Sequence, residues 1–159
     1  MQITILAVGS VKEKFYREAI EEFQKRLSRY CRLKITEVDD EKTVDGASEK
    51  MCAQILKKEG ERIASHIPDN SYVIALAIEG RKLDSVAFSR KMENLGITGN
   101  SNIVFIIGGS LGIADEIKKR ADELISFSDM TFPHQLMRVI LLEQVYRAYR
   151  IINNEPYHK

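Results

Sequence analysis

No apolar run in this chain approaches the roughly 20 residues of a membrane-spanning helix, so no membrane span is expected. The N-terminus, MQITILAVGSVKEK, has no basic leader and no small-residue cleavage site. Its apolar start is too short for a secretion signal and reads as a first strand, and the expected compartment is the cytoplasm. Cysteine is scarce. Cys31 and Cys52 stand in unrelated contexts, as free thiols of a reducing compartment do. No His/Cys/carboxylate cluster has metal-ligand spacing and no Ser/His/Asp set assembles, so no metal is expected. Internal repeats and low-complexity tracts are absent.

Excess charge of one sign is also missing, since a formal net charge of +1 argues against a wholly basic nucleic-acid binder. The charge is nevertheless unevenly spread. Ser10 to Lys34 carries eight Lys/Arg against four Glu, whereas Ile35 to Asp69 carries five against nine Asp/Glu. Met130 to Lys159 carries four Lys/Arg against two Glu. This pattern is either a basic face or the ordinary solvated charge of surface helices.

With 159 residues and 44% hydrophobic content, the chain can bury one ordinary core, and a single domain over 1–159 is expected. Ile3, Ile5, Leu6 and Val8 make a strand ending at Gly9. Phe15, Ala19, Ile20, Phe23 and Leu27 recur at helical spacing up to about Tyr30. Leu33 to Val38 alternates as an edge strand does. The acidic stretch DDEKTVDGASE reads as a mobile loop, after which Ser48 caps a helix closed by Ile67-Pro68. A third strand, Tyr72 to Ile78, meets Glu79-Gly80-Arg81-Lys82. Asp84 or Ser85 caps the helix carrying Val86, Phe88, Met92 and Leu95. A strand from Ile103 to Ile107, a short helix from Ala114 to Ala121 and a strand from Leu124 to Phe127 follow. Pro133 sits where the last helix begins. Strands and helices alternating in this way form an α/β fold, a mainly parallel sheet with helices on both faces.

The chain is organised around Asn102 to Arg150. NIVFIIGGSLG is a uniformly apolar strand stopped by Gly108, Gly109 and Gly112, as a central parallel strand would be. LISFSDMTFP ends a second short strand in a polar turn. Ligands of open α/β sheets sit beyond the carboxyl ends of strands, which is where both turns fall. GGSLG has no phosphate-loop Lys and does not match G-x-G-x-x-G, so it is either a close-approach site for a flat ligand or a plain tight turn. The hydroxyls and Asp129 of SFSDMTF are either ligand contacts or capping groups. In the last helix, Leu136 to Ile152 leaves almost no polar face. It is either central to its own domain or packed on a partner, most economically a second copy related by two-fold symmetry. His66 and His134 read as structural helix-end residues, while His158 in PYHK has no evident packing role.

Taken together, ITILAVG, the strand ending FIIGGSLG, the turn FSDMTFPHQLMRVILLEQVYRAY and the C-terminal PYHK resemble the SPOUT superfamily of methyltransferases. Within it the chain resembles the small RlmH-type family, which methylates a pseudouridine of large-subunit ribosomal RNA. The resemblance spans essentially the whole chain. It implies a deep trefoil knot near the C-terminus, a fold that short unknotted connections would otherwise exclude. It implies a homodimer packed through the last helix and S-adenosyl-L-methionine as cofactor. Carried over by position, the cofactor residues are Leu76, Gly108, Phe127, Ser128, Asp129, Met130, Thr131 and Phe132. The implied reaction is methylation of N3 of a pseudouridine in the helix 69 loop of 23S ribosomal RNA in the assembled ribosome. Direct displacement from a sulfonium depends on positioning, and the ring N–H acceptor gains from a group that orients or removes its proton. Arg147, Tyr157 and His158 are the catalytic candidates. Two other classes remain: a nucleotide-binding sensor module without catalysis, and a Rossmann-like dinucleotide enzyme, which lacks the acidic residue such a fingerprint requires.

Overall fold

The computed structural model describes residues 1–159 as ten alternating elements. These are β1 (Gln2–Val8), α1 (Lys14–Leu27), β2 (Arg32–Val38), α2 (Glu49–Ala64) and β3 (Tyr72–Lys82), then α3 (Ser85–Ile97), β4 (Asn102–Ile107), α4 (Asp115–Arg120), β5 (Glu123–Ser126) and α5 (His134–Ile152). The five strands form one sheet in the order β2-β1-β4-β3-β5, and every pairing is parallel. The α/β expectation holds.

Alternation along the strands sorts the core into two layers. Ile3, Ile5 and Ala7 of β1 and Ile103, Phe105 and Ile107 of β4 face one side, where α1, α3 and α5 cover them. Leu6 and Val8 of β1 and Val104 and Ile106 of β4 face the other, under Ile63 of α2 and Ile117 of α4. The edge strand β2 shows the half-exposed pattern that its alternating residues require. Local capping sets two of the five helix starts: Ser48 Oγ accepts from Met51 N at 3.2 Å, and Asp84 Oδ1 from Ala87 N at 2.7 Å. The start of α1 has no cap of its own; Gln135 Oε1 of α5 accepts from Lys12 N at 3.0 Å.

One expectation changes and one open alternative narrows. First, β3 does not stop at Ile78 but continues to Lys82 through a bulge. Leu76 and Arg81 both register with Ile125 of β5, and the residues between them leave the ladder. Gly80 is obligatory there, because a Cβ would lie 2.7 Å from backbone atoms of Leu124 and Ile125. Second, α5 is the central helix of its layer, packed against both α1 and α3, and its apolar excess is largely spent inside the chain. Leu141, Leu142 and Val145 are fully buried without any partner. Only Leu136, Ile140 and Ile151 belong to neither core layer, and they lie half-buried on one stripe with Arg147.

Candidate cofactor cleft and C-terminal cluster

The carboxyl ends of β3, β4 and β5 open into one cleft of about 770 Å³, a size that suits a small organic ligand. The β3 bulge supplies Leu76, Ala77, Ile78 and Glu79 to its wall, the glycine turn supplies Ile107 to Ile113, and Lys118 of α4, the end of β5 with the turn after it, and the start of α5 supply the rest. Ser126 Oγ donates to Ser128 O at 3.1 Å and Ser128 Oγ accepts from Met130 N at 2.9 Å, so the hydroxyls shape the last turn. Phe127 stands edge-on to Phe88 at 6.3 Å, which anchors the turn to α3.

Of the expected cofactor residues, Leu76, Gly108, Phe127, Ser128, Met130, Thr131 and Phe132 converge on this cleft. Asp129 does not: it is exposed and its carboxylate pairs with Lys82. Gly108 is needed for a different reason than ligand access. A Cβ there would lie 2.3 Å from Gly112 O and 2.8 Å from Ile113 Cγ1, so the turn's own backbone fills the space. Any side chain at 108 therefore breaks the turn before it blocks a ligand. Two charged side chains line the cleft, Glu79 and Lys118, paired at 2.5 Å. The Lys118 ammonium holds the Glu79 carboxyl below its usual range.

Beneath the glycine turn lies a carboxylate that reads in sequence as a solvated helix charge. Glu59 is 4% exposed, and both its oxygens approach to 3.3 Å the position a Cβ of Gly109 would take. It accepts from Glu41 N at 3.0 Å. Arg62 donates to Asp39 O at 2.9 Å and pairs with Glu41, and Thr43 Oγ1 meets Ser110 Oγ at 3.1 Å. The acidic loop is thus tied down onto the glycine turn at several points. Burial, ahead of the neighbouring Asp40 and Glu41, raises the Glu59 pKa above its ordinary 4.5. A raised folded-state value makes the stabilising contribution present below the unfolded pKa, and it is lost as pH rises through the folded one. Glu59→Gln should therefore raise the melting temperature by a few degrees at pH 7 and leave it unchanged below pH 4. Equal shifts at both pH values in a calorimetric scan would show that the carboxylate's charge is fully compensated.

The start of α5 forms the opposite wall. His134, which sequence reasoning takes as structural, lines the cleft with a buried Nδ1 that has no hydrogen-bond partner. Burial lowers its pKa, Arg138 lowers it further and Asp40 opposes both. One turn on, Arg138 is 1% exposed inside a helix that reads as apolar. Its guanidinium donates to Val8 O at 3.0 Å, Gly9 O at 2.7 Å and Glu37 Oε2 at 2.5 Å, locking α5 to the carboxyl ends of β1 and β2.

The other end of α5 gathers the catalytic candidates. Glu143 Oε1 accepts from Arg147 Nε at 3.1 Å and from the Tyr157 hydroxyl at 3.0 Å. The Arg147 guanidinium lies 4.7 Å from the Tyr157 ring centroid, and its Nη1 is 3.3 Å from His158 Nδ1. The tail is held rather than frayed, since Arg150 donates to Pro156 O at 2.9 Å and pairs with Glu155. Burial and the Glu143 carboxylate raise the Tyr157 pKa, so this hydroxyl stays protonated at neutral pH and serves as a donor. Arg147 lies ten residues beyond Met137, the last cleft residue on the helix, or roughly 15 Å at 1.5 Å per residue. Cleft and cluster stand apart within one chain.

Residues 1–158 match the family model described as "Predicted SPOUT methyltransferase". The chain belongs to the SPOUT methyltransferase family. It is 62% identical over 159 residues to the Ribosomal RNA large subunit methyltransferase H of Bifidobacterium adolescentis, covering all of both chains. It is 59% identical, again over the full length of both, to Ribosomal RNA large subunit methyltransferase H 1 of Clostridium perfringens strain SM101. A solved probable methylase family protein from Haemophilus influenzae Rd KW20 shares the fold, with a TM-score of 0.57 at 12% identity over 99% of this chain and 70% of that one. In this SPOUT chain the cleft joins apolar and backbone groups to Glu79, Lys118 and His134, and the α5 tail gathers Arg147, Tyr157 and His158.

Proposed function

We propose that the chain is an S-adenosyl-L-methionine-dependent methyltransferase of 23S ribosomal RNA. Its target is N3 of a pseudouridine in the helix 69 loop of the assembled ribosome, and the enzyme works in the cytoplasm as a homodimer. The observation that carries this reading is the full-length match to relatives named as large-subunit ribosomal RNA methyltransferases, in a chain whose strand ends form one cleft. The cleft chemistry fits the cofactor. Leu76 and Phe127 offer an apolar slot, and the backbone of the turn from Phe127 to Phe132 offers amide and carbonyl groups at its edge. When bound, the cofactor supplies a methyl group on a positively charged sulfur. The chain's residues orient the acceptor: Arg147 and Tyr157 as hydrogen-bond donors, and His158 as the group able to take the ring proton. The fold proposed with this activity includes the deep trefoil knot that the family resemblance implies.

Purified protein, S-adenosyl-L-methionine and ribosomes from a strain lacking the gene, followed by mass mapping of nucleosides, should yield one methylated pseudouridine in helix 69. Methylation elsewhere overturns the target, and cofactor binding without transfer to any RNA favours the sensor reading.

The homodimer is testable on the stripe that neither core layer uses. Ile140→Glu should convert the dimer to a folded monomer at micromolar concentration, because an unpaired buried charge costs several kcal/mol. Leu141→Glu, at a position 0% exposed within the chain, should unfold it instead. Sedimentation velocity with circular dichroism checks both, and a wild-type monomer would end the interface assignment.

A further inference from the structure

Apart from serine and threonine hydroxyls and the His134 imidazole, the cleft is lined by apolar side chains, backbone and one ion pair, and that pair is the unusual feature. Glu79 stands on the β3 bulge, which has left the strand ladder, and Lys118 on the short α4, so the pair sits outside both the strand ladder and the buried core layers. Their side chains are 54% and 25% exposed, and both line the cleft. At a solvent-facing site such a pair contributes little to stability. It does set a negative and a positive charge side by side in an otherwise uncharged cleft, where they can each exchange partner for a ligand's charge.

We propose that Glu79 and Lys118 form a clamp for an α-amino-acid zwitterion, with Lys118 Nζ receiving the carboxylate and Glu79 the ammonium of the cofactor's methionine end. The assignment rests on the cofactor reading given above. An adenosine moiety is satisfied by an apolar slot and backbone groups, but an amino-acid end needs opposite charges on adjacent positions, and no other Asp, Glu, Lys or Arg side chain lines the cleft. Charge-assisted hydrogen bonds at both ends of the zwitterion are stronger than neutral ones, and insertion of the zwitterion between the two side chains leaves no charge unpaired. The pair thereby preorganises its own replacement: each side chain keeps the other positioned until the ligand arrives.

Titration calorimetry with two ligands isolates the clamp. S-Adenosylhomocysteine carries the amino-acid end, and 5′-methylthioadenosine has the same adenosine and thioether without it. Lys118→Gln and Glu79→Gln should each weaken S-adenosylhomocysteine about tenfold and shift 5′-methylthioadenosine by less than about twofold, with Lys118→Arg restoring most of the loss. Circular dichroism of each variant keeps folding separate from binding. Equal losses for both ligands would place Glu79 or Lys118 on the ribose or in the scaffold and overturn the clamp. Wild-type affinity for S-adenosylhomocysteine in the variants would overturn it too, while leaving the cofactor reading intact. A wild-type protein that binds neither ligand would overturn the cofactor reading itself.

Discussion

Arg138→Met should cost about 3–5 kcal/mol of folding stability, among the largest single-residue effects expected anywhere in this chain. The reason is positional. Arg138 is almost fully buried at 1% exposure, and its guanidinium answers two backbone carbonyls at the end of β1 as well as the Glu37 carboxylate. Methionine fills a similar volume but strands Val8 O and Gly9 O inside the protein, where an unmet acceptor costs about 1–3 kcal/mol each. Glu37 adds less, because its side chain is 43% exposed and it retains the Val11 N–H at 3.1 Å. Arg138→Lys keeps the charge but not the fork, and should recover only part of the loss. Urea unfolding monitored by circular dichroism measures this directly. A Met variant within 1 kcal/mol of wild type would mean that the carbonyls find water or new donors. Because Arg138 also fixes the helix start that carries His134 and Met137 into the cleft, ligand affinity should fall with stability.

Much of the fold can be read from local pattern because local physics decides it. Ser48 and Asp84 cap the helices their neighbours predict, and the uniform apolar run at Ile103 to Ile107 is the central strand β4. The misreadings share a cause, since each depends on a contact distant in sequence. Gly80-Arg81-Lys82 has the composition of a polar turn, yet it belongs to β3 because β5 arrives beside it more than forty residues later. Arg138, inside an apolar helix, carries no sequence signal of its own; only the arrival of the β1 carboxyl end makes it a buried hub.

At the site the same division holds. The turns after β4 and β5 are recognisable as strand ends, and most residues carried over from the family resemblance line the cleft. Glu59, Glu79, Lys118 and His134 carry no sequence signal, because each sits among charges or helix-end residues that are ordinarily solvated. Gly108 shows which of two open readings its own geometry favours. The right residue is marked by its turn, but the space it leaves empty belongs to Gly112 rather than to a ligand.

Deleting Tyr157 to Lys159 should reduce methyl transfer to ribosomes at least about a hundredfold while leaving cofactor affinity nearly unchanged. The separation of effects follows from the geometry of α5. His134 and Met137 at its start line the cleft, whereas Arg147, Tyr157 and His158 cluster at its far end, so the deleted residues touch no cleft residue of their own chain. If the proposed two-fold dimer packs antiparallel along the stripe of Leu136, Ile140 and Arg147, the tail of one copy would reach towards the cleft of the other. Each active site is then shared. Complementation tests the sharing, with Thr131→Trp as the partner variant because it puts bulk into the cleft without disturbing the glycine turn. Each variant alone should be inactive. Co-expressed, half of the dimers are mixed, and each mixed dimer holds one intact cleft facing one intact tail, so activity should return to about a quarter of wild type. Mixed dimers that form but stay inactive would place the tail's action within its own chain, which would require α5 to release it across the length of the helix.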